Sequence, residues 1–487
     1  MHLNLQTIKK LPDAVRIPEY DRDNLSAGII HIGLGNFHRA HMAWYSHRLM
    51  DQGIAHNWAI LGAGVRSLDD VNRTKILEQD CFTTLIKLDP SGKSAEVIGS
   101  MIDYIPVEKN NASLIQHLIK PNIRIVSLTV TEGGYYQTPQ GTLDIQHTDI
   151  QHDINHPQTP ITAFGAILEA IKLRQDAGIE PFTCLSCDNL QANGDILRNT
   201  ILGLAAVSKP SLVRWISENV TFPNSMVDCI VPATGPNELA LVRDFGIVDN
   251  VPVTHESFRQ WVIEDKFCSG RPEWDRVGVT FTDDVKAFEL QKLRILNAGH
   301  QIIATVGELL SIVTISDTMK HPLIMDLFSK IQTEEIVPHV LAVPGMTPLE
   351  YIKLIKRRFS NTEIIDTTRR VAFDGSSRHP GFLHPIIRDA IATEKPIEGL
   401  ALIEALWARM CFGVREDGSL IEANDPFWSE LRMAAYSAIE FPEVWLSQVQ
   451  FYGDLGQDTR FAKCFTKWLN LVWEQGTEIA VQIYLES

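Results

Sequence analysis

The sequence lacks the features of membrane, secreted and nucleic-acid-binding proteins. No apolar run approaches the roughly 20 residues needed to span a bilayer, and the opening segment MHLNLQTIKKLPD has no secretory hydrophobic region. Seven cysteines in 487 residues are too few and too scattered for a disulfide framework. The formal net charge of −16 argues against a basic nucleic-acid interface. We therefore expect a cytoplasmic protein with reduced thiols and no membrane or nucleic-acid partner.

Several catalytic motifs are also missing from the sequence. There is no His-Glu-x-x-His pair for zinc and no Gly-x-x-x-x-Gly-Lys-[Ser/Thr] loop for nucleoside triphosphates. No tyrosine has a lysine four residues later, so the Tyr-x-x-x-Lys arrangement of many zinc-free dehydrogenases is absent. Cys184 and Cys187 form a lone Cys-x-x-Cys without a second pair at zinc-finger spacing. We expect no metal, and Lys292 is the best available base for a hydride transfer.

The order of apolar patterns predicts an α/β protein with two domains. Before residue 285, short β-rich runs alternate with helical patterns, which is typical of a parallel sheet flanked by helices. After it, helical periods dominate. We expect a Rossmann-type NAD-binding domain over residues 1–285 and a mostly α-helical substrate-binding and catalytic domain over residues 286–487. The strand candidates are GIIHIGLG, NWAILGAGV, IRIVSLTVTEGGYY and FTCLSCDNL, and the later helix candidates are Glu289–Ser311, Lys320–Val337, Pro396–Phe412, Trp428–Phe441 and Phe461–Tyr484.

A strand, a glycine turn and an amphipathic helix follow one another near the start of the chain. Gly33 would permit a tight turn, and Gly35 would let a dinucleotide pyrophosphate approach backbone N–H groups at the helix end. His38 stands where the third glycine of Gly-x-Gly-x-x-Gly belongs. The pattern therefore also fits a methyltransferase-type nucleotide site or a turn with no ligand. The residues expected to bind the cofactor here are Gly33, Gly35, Asn36 and Phe37.

Two further strand ends supply candidate cofactor ligands. After the second strand, Asp69 or Asp70 could accept a hydrogen bond from the adenosine ribose of NAD, whereas Arg66 could accommodate the phosphate of NADP. We favour NAD with Asp69. The third strand ends in TVTEGGYY, at an edge where open α/β sheets bind ligands. The residues expected to contact the cofactor there are Thr131, Glu132 and Gly133.

The segment Glu289–His300 combines an apolar helical stripe with polar residues that are costly to bury. His300 falls on the stripe, with Lys292 and Asn297 beside it. Such residues are rarely buried unless they are paired or functional. Together they could supply a general base, an oxyanion donor and an orienting imidazole for proton transfer at a hydroxyl. The alternative is a half-exposed helix edge with one core histidine.

Six segments of the sequence, taken in their order along the chain, resemble those of the polyol-specific long-chain dehydrogenases. This family includes mannitol 2-dehydrogenase, arabinitol dehydrogenase and fructuronate reductase. The resemblance runs over most of the chain, and Lys-x-x-x-x-Asn-x-x-His after a Rossmann-like half is a specific pattern. It implies an N-terminal Rossmann-type domain, a helical C-terminal domain and a metal-independent active site between them. The segments are HIGLGNFHRAH, TVTEGGYY, SCDNLQANGD, FPNSMVD, KLRILNAGH and DTTRRVAFDGSSR.

The resemblance also implies roles for individual residues. Lys292 resembles the catalytic base, and Asn297 and Asn189 resemble the pair of amides that holds the alkoxide or carbonyl oxygen. His300 resembles the residue that orients the polyol. Glu289 stands one helical turn before Lys292, and we expect it to tune or relay the lysine's proton, with a surface salt bridge as the alternative. The positions that match substrate contacts are Asp228, Arg370 and Arg378.

Two positions depart from the family pattern. The family usually continues Val-Asp with Arg-Ile, but here Val227-Asp228 is followed by Cys229. If that arginine braces the active site or the domain interface in the family, another residue must do so in this chain. Arg378 lies where some relatives have lysine, and its planar fork would suit a carboxylate as well as vicinal hydroxyls.

Together the residues and the resemblance predict a metal-independent oxidoreductase that transfers a hydride between NAD(H) and a sugar alcohol or ketose. The expected reaction is mannitol 2-dehydrogenase-like, with D-mannitol and NAD+ giving D-fructose and NADH. A hexuronate reductase acting on fructuronate or tagaturonate would share every catalytic residue. A nucleotide-binding sensor without chemistry is a third alternative. The C-terminal helices show no long heptad seam, so we expect a monomer.

Overall fold

The computed structural model describes residues 1–66, 68–138 and 140–487. The chain divides into two compact units, Met1–Lys286 and Ala287–Ser487. The first unit carries the sheets, and the second consists mainly of helices. The predicted fold class, an α/β unit followed by a helical one, is confirmed. No helix among the described residues combines the length and the apolar character needed to cross a membrane.

The strands of the first unit form three sheets within the described residues. In chain order they are β1 (Val15–Arg16), β2 (Ala27–Ile32), β3 (Ala59–Ala63), β4 (Thr83–Asp89), β5 (Gly92–Ile98), β6 (Met101–Tyr104), β7 (Ile125–Leu128), β8 (Thr183–Ser186), β9 (Ser225–Asp228), β10 (Val253–Glu256), β11 (Gln260–Glu264) and β12 (Thr280–Thr282).

A five-stranded parallel sheet, in the order β6-β3-β2-β7-β8, forms the centre of this unit. Successive residues of a strand point to opposite faces, so a sheet covered on both faces serves two cores. In β2, Ile30 and Ile32 pack into one apolar core while Ile29 packs into the other. The carboxyl ends of β2, β3, β7 and β8 lie along one edge of the sheet, where the predicted cofactor residues follow them.

The two smaller sheets and the edge strand β6 were not predicted from the sequence. The second sheet has the order β1-β5-β4-β10, with β4 antiparallel to β5, and the third has the order β12-β11-β9. These strands are short or mixed in polarity. β6 reads MIDY, and β5 begins with the exposed residues GKS. Such segments lack a period long enough to identify a strand.

Helices cover both faces of the central sheet. The amphipathic helix predicted after the glycine turn is divided at His41, whose backbone (φ −119°, ψ −95°) is not helical. The α-helices of this unit are α1 (Asn36–Ala40), α2 (Met42–Asp51), α3 (Asp69–Leu77), α4 (Ala112–Leu118), α5 (Thr148–Asn155), α6 (Ala163–Asp176), α7 (Asn193–Ser208), α8 (Leu212–Asn219) and α9 (Pro236–Asp244). Short 3₁₀ segments lie at Ile8–Lys10, Arg22–Asn24, His56–Trp58, Glu132–Tyr135 and Trp274–Val277.

The second unit packs its helices around α11 and α18. The helices are α10 (Val285–Gln291), α11 (Ala298–Leu309), α12 (Ile315–Thr318), α13 (Pro322–Ile331), α14 (Pro348–Phe359), α15 (Thr368–Val371), α16 (Gly375–Phe382), α17 (His384–Ala392), α18 (Glu398–Cys411), α19 (Trp428–Ser437), α20 (Glu443–Leu446), α21 (Val449–Tyr452), α22 (Thr459–Gln475) and α23 (Thr477–Glu486). Residues Gly399 to Cys411 of α18 are all buried, as are all residues of α11 except His300. Two π-helical segments occur, at Lys292–Asn297 and Gln332–Ile336, and 3₁₀ segments at Val337–His339 and Leu455–Gln457.

Several helix predictions differ from the structure. The predicted helix Lys320–Val337 contains α13, which ends at Ile331, and the second π segment, which follows at Gln332–Ile336. The predicted helix Glu289–Ser311 is interrupted by the first π segment. The predicted helix Phe461–Tyr484 is two helices, because Gly476 adopts a positive φ of 86° between them. Helices α14, α16 and α17 were not predicted, although Thr347 and Glu350 form a capping box in front of the apolar stripe of α14.

Candidate active site

The two glycines of the turn after β2 have different physical roles. Gly33 has φ +89°, and a Cβ there would meet the Thr129 carbonyl oxygen at 2.2 Å. The backbone therefore requires glycine at this position. A Cβ on Gly35 would meet no protein atom closer than 4.0 Å. The second glycine leaves open space, which is what the approach of a phosphate needs.

His38 fills the position of the third glycine by stacking on the strand. Its ring lies over that of His31 in β2, with centroids 3.5 Å apart and planes at 17°. Both imidazoles are buried, and burial lowers the pKa of each, that of His31 to about 3. A pair of neutral stacked rings thus replaces the close helix–strand contact that a glycine would allow.

A hydrogen-bond chain beneath the turn fixes the Gly33 carbonyl. Thr129 Oγ1 donates to Gly33 O at 2.7 Å. That hydroxyl must therefore accept from His31, whose Nε2 lies 2.9 Å away. The neutral imidazole is then protonated at Nε2, and its Nδ1 accepts from Ser127 Oγ at 2.8 Å. The turn is therefore held by Thr129, which directly follows β7 and does not belong to the glycine motif.

Asn36 and Phe37, predicted to bind the cofactor, use their side chains within the protein. Asn36 Nδ2 donates to Pro232 O at 3.1 Å and to Thr234 Oγ1 at 2.9 Å. Its Oδ1 accepts from Arg39 Nη2 at 2.7 Å. The Phe37 ring stacks on the His41 imidazole, with centroids 4.8 Å apart. These two residues therefore offer a ligand mainly their backbone.

Asp69, the predicted ribose ligand, stabilises the loop between β3 and α3. Its Oδ2 accepts from the backbone N–H groups of Val65 and Arg66, each at 3.0 Å. A Cβ on Gly64 would lie 2.4 Å from the Asp69 Cβ, so the backbone at Gly64 passes close to this side chain. Oδ1 lies 3.4 Å from the exposed Arg66 Nη2. A carboxylate oxygen accepts more than one hydrogen bond, so Asp69 retains acceptor capacity for a ribose hydroxyl.

A cavity of about 510 Å³ lies beside the glycine turn in the first unit. Its lining combines apolar side chains of α3 and the loop after β9 with polar groups from α1. This size and mixture of surfaces suit part of a nucleotide. The polar and charged contributors include Asn36, Arg39, Asn72, Lys75 and Thr234, and Gly35 also lines it.

Asp188, which the sequence analysis did not single out, clamps the loop after β7. Its two carboxylate oxygens accept from the backbone N–H groups of Val130 at 3.1 Å and Thr131 at 2.8 Å. Tyr135 donates its hydroxyl to the same carboxylate at 2.7 Å. Thr131 has φ +66°, which is strained for a β-branched residue. The buried carboxylate therefore holds a strained backbone at the sheet edge.

Asn189 and Gly133 lie at the same carboxyl edge of the sheet. Asn189 follows Asp188 directly after β8, and it is exposed. Gly133 is exposed as well, and a Cβ there would meet nothing within 4 Å. The side chain of Glu132, the third residue predicted in this loop, lies outside the described part of the chain.

Asp228 ends β9 in the third sheet, apart from the central one. It is buried and pairs in register with Gln260 of β11. Cys229, where the family pattern has arginine, is half-buried. A guanidinium is nevertheless present in this region, because Arg259 precedes Gln260, the residue that pairs with Asp228. Arg259 donates to Ala40 O at 2.6 Å and lies over the Trp44 ring, so it braces α1 and α2 against this sheet.

The π segment of the second unit brings the predicted base and one amide to the same face. Lys292 and Asn297 are its first and last residues, and both are buried. In a π turn the hydrogen bonds join residues five apart, so side chains at i and i+5 lie one above the other. In an α-helix the same two side chains would be about 140° apart around the axis. Lys-x-x-x-x-Asn is therefore a single-face pattern only because the helix is π here.

Gln332 supports the π turn from another helix. Its side-chain Nε2 donates to the Ile295 carbonyl at 2.8 Å. Gly299 makes room for this contact, because a Cβ there would lie 2.8 Å from the same nitrogen. Glu289, predicted to relay the lysine's proton, is buried in the preceding turn of the same helical run.

His300 is the half-buried residue of a helix that is otherwise buried. Its ring stacks on Phe359, with centroids 4.2 Å apart and planes at 20°. Desolvation lowers the pKa of His300 to about 3, although the Asp366 carboxylate opposes that shift. The imidazole is therefore neutral at neutral pH and carries one donor and one acceptor. Such a group suits a hydroxyl, which both donates and accepts.

The two predicted substrate arginines are already engaged within the second unit. Arg370 binds Asp366 through both carboxylate oxygens, with Nε–Oδ1 and Nη2–Oδ2 distances of 2.5 Å. Arg378 Nη1 donates to the Val371 carbonyl at 2.6 Å. Asp366 was missed by the sequence analysis, although it stands four residues before Arg370, which is the spacing of a helical ion pair.

One group of described residues has the geometry of a metal site. Potential ligand atoms of His47, Asp51 and Glu96 lie within 4.8 Å of one another. Arg48 Nη2 lies 2.7 Å from Glu96 Oε1, and Arg16 Nη2 lies 3.4 Å from Asp51 Oδ2. Two guanidinium groups thus balance the two carboxylates, and this charge balance disfavours a further cation.

Both units match models of one protein family. The model described as mannitol dehydrogenase Rossmann domain matches residues 27–276, and the mannitol dehydrogenase C-terminal domain model matches residues 284–473. Mannitol 2-dehydrogenase of Cereibacter sphaeroides is 50% identical over 474 residues, which cover 97% of this chain and 99% of that protein.

Two solved structures resemble the chain over nearly its whole length. The Pseudomonas fluorescens mannitol 2-dehydrogenase ternary complex with NAD and D-mannitol is 37% identical, with a TM-score of 0.88 and 100% coverage of both chains. D-sorbitol dehydrogenase in substrate-free form is 33% identical, with a TM-score of 0.91 and coverage of 98% of this chain and 100% of that one.

Proposed function

Because this chain belongs to the mannitol dehydrogenase family, we propose that it is an NAD-dependent dehydrogenase that interconverts D-mannitol and D-fructose. The family resemblance of the sequence is thereby confirmed. The observation that carries the proposal is the π turn, which places the Lys292 amine and the Asn297 amide on one helix face. His300, the residue of α11 that is not buried, lies just beyond them.

The first unit supplies a surface that fits a dinucleotide. Gly33 makes the tight turn, and Gly35 leaves open space in front of backbone N–H groups. Asp69 favours NAD over NADP, because its carboxylate would accept from a ribose hydroxyl and repel a 2′-phosphate. When bound, NAD supplies the hydride acceptor at nicotinamide C4. Thr131 and Gly133, on the loop that Asp188 holds, extend the same edge.

Lys292 acts as the general base in the oxidation direction. A free lysine has a pKa near 10.4, so a protonated amine would be a poor base at neutral pH. Lys292 is 8% exposed, and burial favours the uncharged form of an amine. The uncharged amine accepts the proton of the reacting hydroxyl while the hydride leaves the carbon atom that bears this hydroxyl. In the reduction direction the protonated amine returns that proton to the ketose oxygen.

Asn297 stabilises the reacting oxygen as its charge develops. Its amide N–H donates to that oxygen in the manner of an oxyanion hole, and the π turn keeps it beside the Lys292 amine. The second amide expected on this oxygen, Asn189, stays a prediction. His300 orients the substrate, since its neutral ring presents a donor and an acceptor to adjacent hydroxyls. Glu289 and Asp228 keep the roles predicted for them, a proton relay and a substrate contact.

The cellular setting and assembly are part of the proposal. All seven cysteines are free thiols, which suits a reducing compartment and a cytoplasmic enzyme. We expect a monomer, because the sequence of the C-terminal helices shows no long heptad seam. Sedimentation of the purified enzyme at several concentrations measures this, and a concentration-dependent increase in mass would contradict it.

The test is an absorbance assay at 340 nm with NADH and, separately, NADPH. The purified protein is offered D-fructose, xylulose, fructuronate and tagaturonate in parallel. We expect rapid oxidation of NADH with D-fructose, slower reaction with NADPH, and D-mannitol as the product. Activity confined to the uronates would make the protein a hexuronate reductase. NADH binding without oxidation of any substrate pair would reduce it to a nucleotide-binding protein.

A further inference from the structure

Asp366 controls what Arg370 can offer to a ligand. The carboxylate is buried and lies on the loop between α14 and α15. Its two oxygens bind Nε and Nη2 of the guanidinium at 2.5 Å each, which is the bidentate geometry that a bound carboxylate would otherwise adopt. The same contact raises the pKa of Arg370. One edge of the guanidinium is therefore occupied by the protein's own anion.

The other groups around His300 do not replace that edge. Arg378 donates Nη1 to the Val371 carbonyl, so part of its fork is also used. Arg358 contributes a third positive charge near His300 but is itself buried and engaged. His300 carries no charge at neutral pH, because its pKa is about 3. Around His300, Asp366 thus adds a negative charge and occupies the Nε and Nη2 edge of the Arg370 guanidinium.

We propose that Asp366 is a specificity-determining residue that makes the site select neutral polyols and ketoses and reject hexuronates. The inference rests on the proposed function and names its substrate class. Asp366 already neutralises Arg370, and a uronate carboxylate bound at the remaining edge of the guanidinium would lie close to this second negative charge, whose repulsion disfavours it. A sugar hydroxyl needs only single donors and acceptors, which the remaining guanidinium edge and the imidazole supply.

The experiment replaces the carboxylate by an amide of the same shape. Asp366→Asn removes the charge and leaves one acceptor oxygen, so the Arg370 fork becomes available. A charge-assisted bidentate contact should then raise kcat/KM for fructuronate or tagaturonate, relative to D-fructose, by about tenfold or more. Asp366→Ser, which lacks the amide, should shift the ratio in the same direction and serves if the asparagine variant does not fold.

The matched control is Asp454→Asn in the same unit. Asp454 Oδ1 binds Arg388 Nη1 at 2.5 Å, so this variant breaks an aspartate–arginine pair of the same length away from His300. Its hexuronate-to-ketose ratio should equal that of the wild type. Thermal melts of the three proteins separate altered specificity from lost folding.

Three results bear on the inference differently. A rise in the ratio for the Asp366 variants but not for Asp454→Asn supports it. Folded Asp366 variants that lose ketose reduction without gaining hexuronate reduction overturn it, because Asp366 would then only brace Arg370. A wild type that already reduces hexuronates as well as D-fructose also overturns it. Failure of the wild type to reduce D-fructose is a separate result that refutes the proposed function.

Discussion

The two units hold their candidate residues by different physical means. In the first unit, side chains clamp backbone. Asp188 holds two N–H groups of the loop after β7, Asp69 holds two N–H groups after β3, and Thr129 holds the Gly33 carbonyl. In the second unit, Arg370 and His300 are held by other side chains, although the π turn is supported by the Gln332 side chain on a backbone carbonyl. Asp366 pairs with Arg370, and Phe359 stacks under His300.

This difference separates rigidity from chemistry. A backbone clamp fixes the shape of a binding surface, so its loss should change how tightly a ligand such as a dinucleotide is bound. A contact between side chains sets charge and orientation at single atoms, so its change should alter rate or specificity while the fold persists. Substitutions in the helical unit should therefore affect turnover with cofactor affinity retained, and substitutions of clamps should do the reverse.

The largest effect is expected at Lys292. Lys292→Ala should lower kcat at pH 7 by about 10² to 10⁴-fold, since general base catalysis contributes this much. The dissociation constant for NADH, measured by fluorescence titration, should remain within about twofold of the wild type because the clamps are untouched. Lys286→Ala, which changes an exposed lysine just before the second unit, is the control. An equal collapse of NADH binding would show that Lys292 is structural.

Asn297→Ala should follow closely. Removing one oxyanion donor typically costs about 10² to 10³-fold in kcat. The substrate KM should change much less, because the hydrogen bond strengthens only as charge develops on the oxygen. Steady-state kinetics with D-fructose and NADH measure both constants. If the effect falls on KM alone, Asn297 binds ground-state substrate and has no oxyanion role.

A clamp variant tests the other half of the comparison. Asp188→Asn replaces one of the two acceptor oxygens with an NH₂ group. One of the two partly buried backbone N–H groups then loses its partner, which costs up to about 3 kcal/mol. We expect NADH affinity to fall by about tenfold and kcat at saturating cofactor by less. Isothermal titration and kinetics measure the two changes.

Asp153→Asn is the matched control for this clamp. Asp153 accepts from the Ile161 and Thr162 N–H groups and from the Thr162 hydroxyl, which is the same pattern at the start of α6. Its replacement should lower the free energy of unfolding similarly and leave NADH affinity unchanged. Equal losses of affinity in both variants would mean that Asp188 acts through general stability.

The smallest effect on turnover is expected at Glu404, whose role is in stability. Burial alone would raise the pKa of this carboxyl, but His379, His384 and the hydrogen bonds they donate hold its pKa well below its ordinary value. A group with a lowered folded-state pKa stabilises the fold above the unfolded carboxyl pKa of about 4.3, and that stabilisation is lost as the pH falls. The wild type should therefore lose more free energy of unfolding than Glu404→Gln between pH 5 and pH 3, measured by urea titration.

Glu335 gives a control of opposite sign. It is also buried in the second unit, but there burial prevails and raises its pKa. Its ionisation therefore opposes folding as the pH rises through its titration. Glu335→Gln should change the slope of stability against pH in the direction opposite to Glu404→Gln. Identical slopes in all three proteins would contradict the linkage.

The strands of the cofactor edge could be predicted because they are buried and carry no acidic or basic side chain apart from one neutral histidine. The sequences of β2, β3, β7 and β8 combine apolar residues with small or uncharged polar ones and end at glycine or polar turns. β6 could not be found in the same way, because MIDY contains an exposed aspartate and is only partly buried. The helical character of the second unit was also predictable, but the breaks within its helices depend on tertiary contacts.

The candidate residues were predicted better than the contacts that position them. Lys292, Asn297 and His300 stand out by type and by resemblance to the family. The π turn cannot be recognised in the sequence, because the Gln332 side chain that supports it lies 37 residues from Ile295. Asp188 binds backbone N–H groups more than 50 residues earlier in the chain, which leave no mark on the sequence. The ion pair between Asp366 and Arg370 could have been predicted from their i, i+4 spacing.

The π turn has a consequence for anyone who transplants this chemistry. A designer who copies Lys-x-x-x-x-Asn-x-x-His onto an ideal α-helical scaffold would point the amine and the amide about 140° apart, and the two could not meet at one oxygen. The transferable unit is therefore larger than the motif. It includes Gln332 on the neighbouring helix and Gly299, which gives that glutamine access to the Ile295 carbonyl.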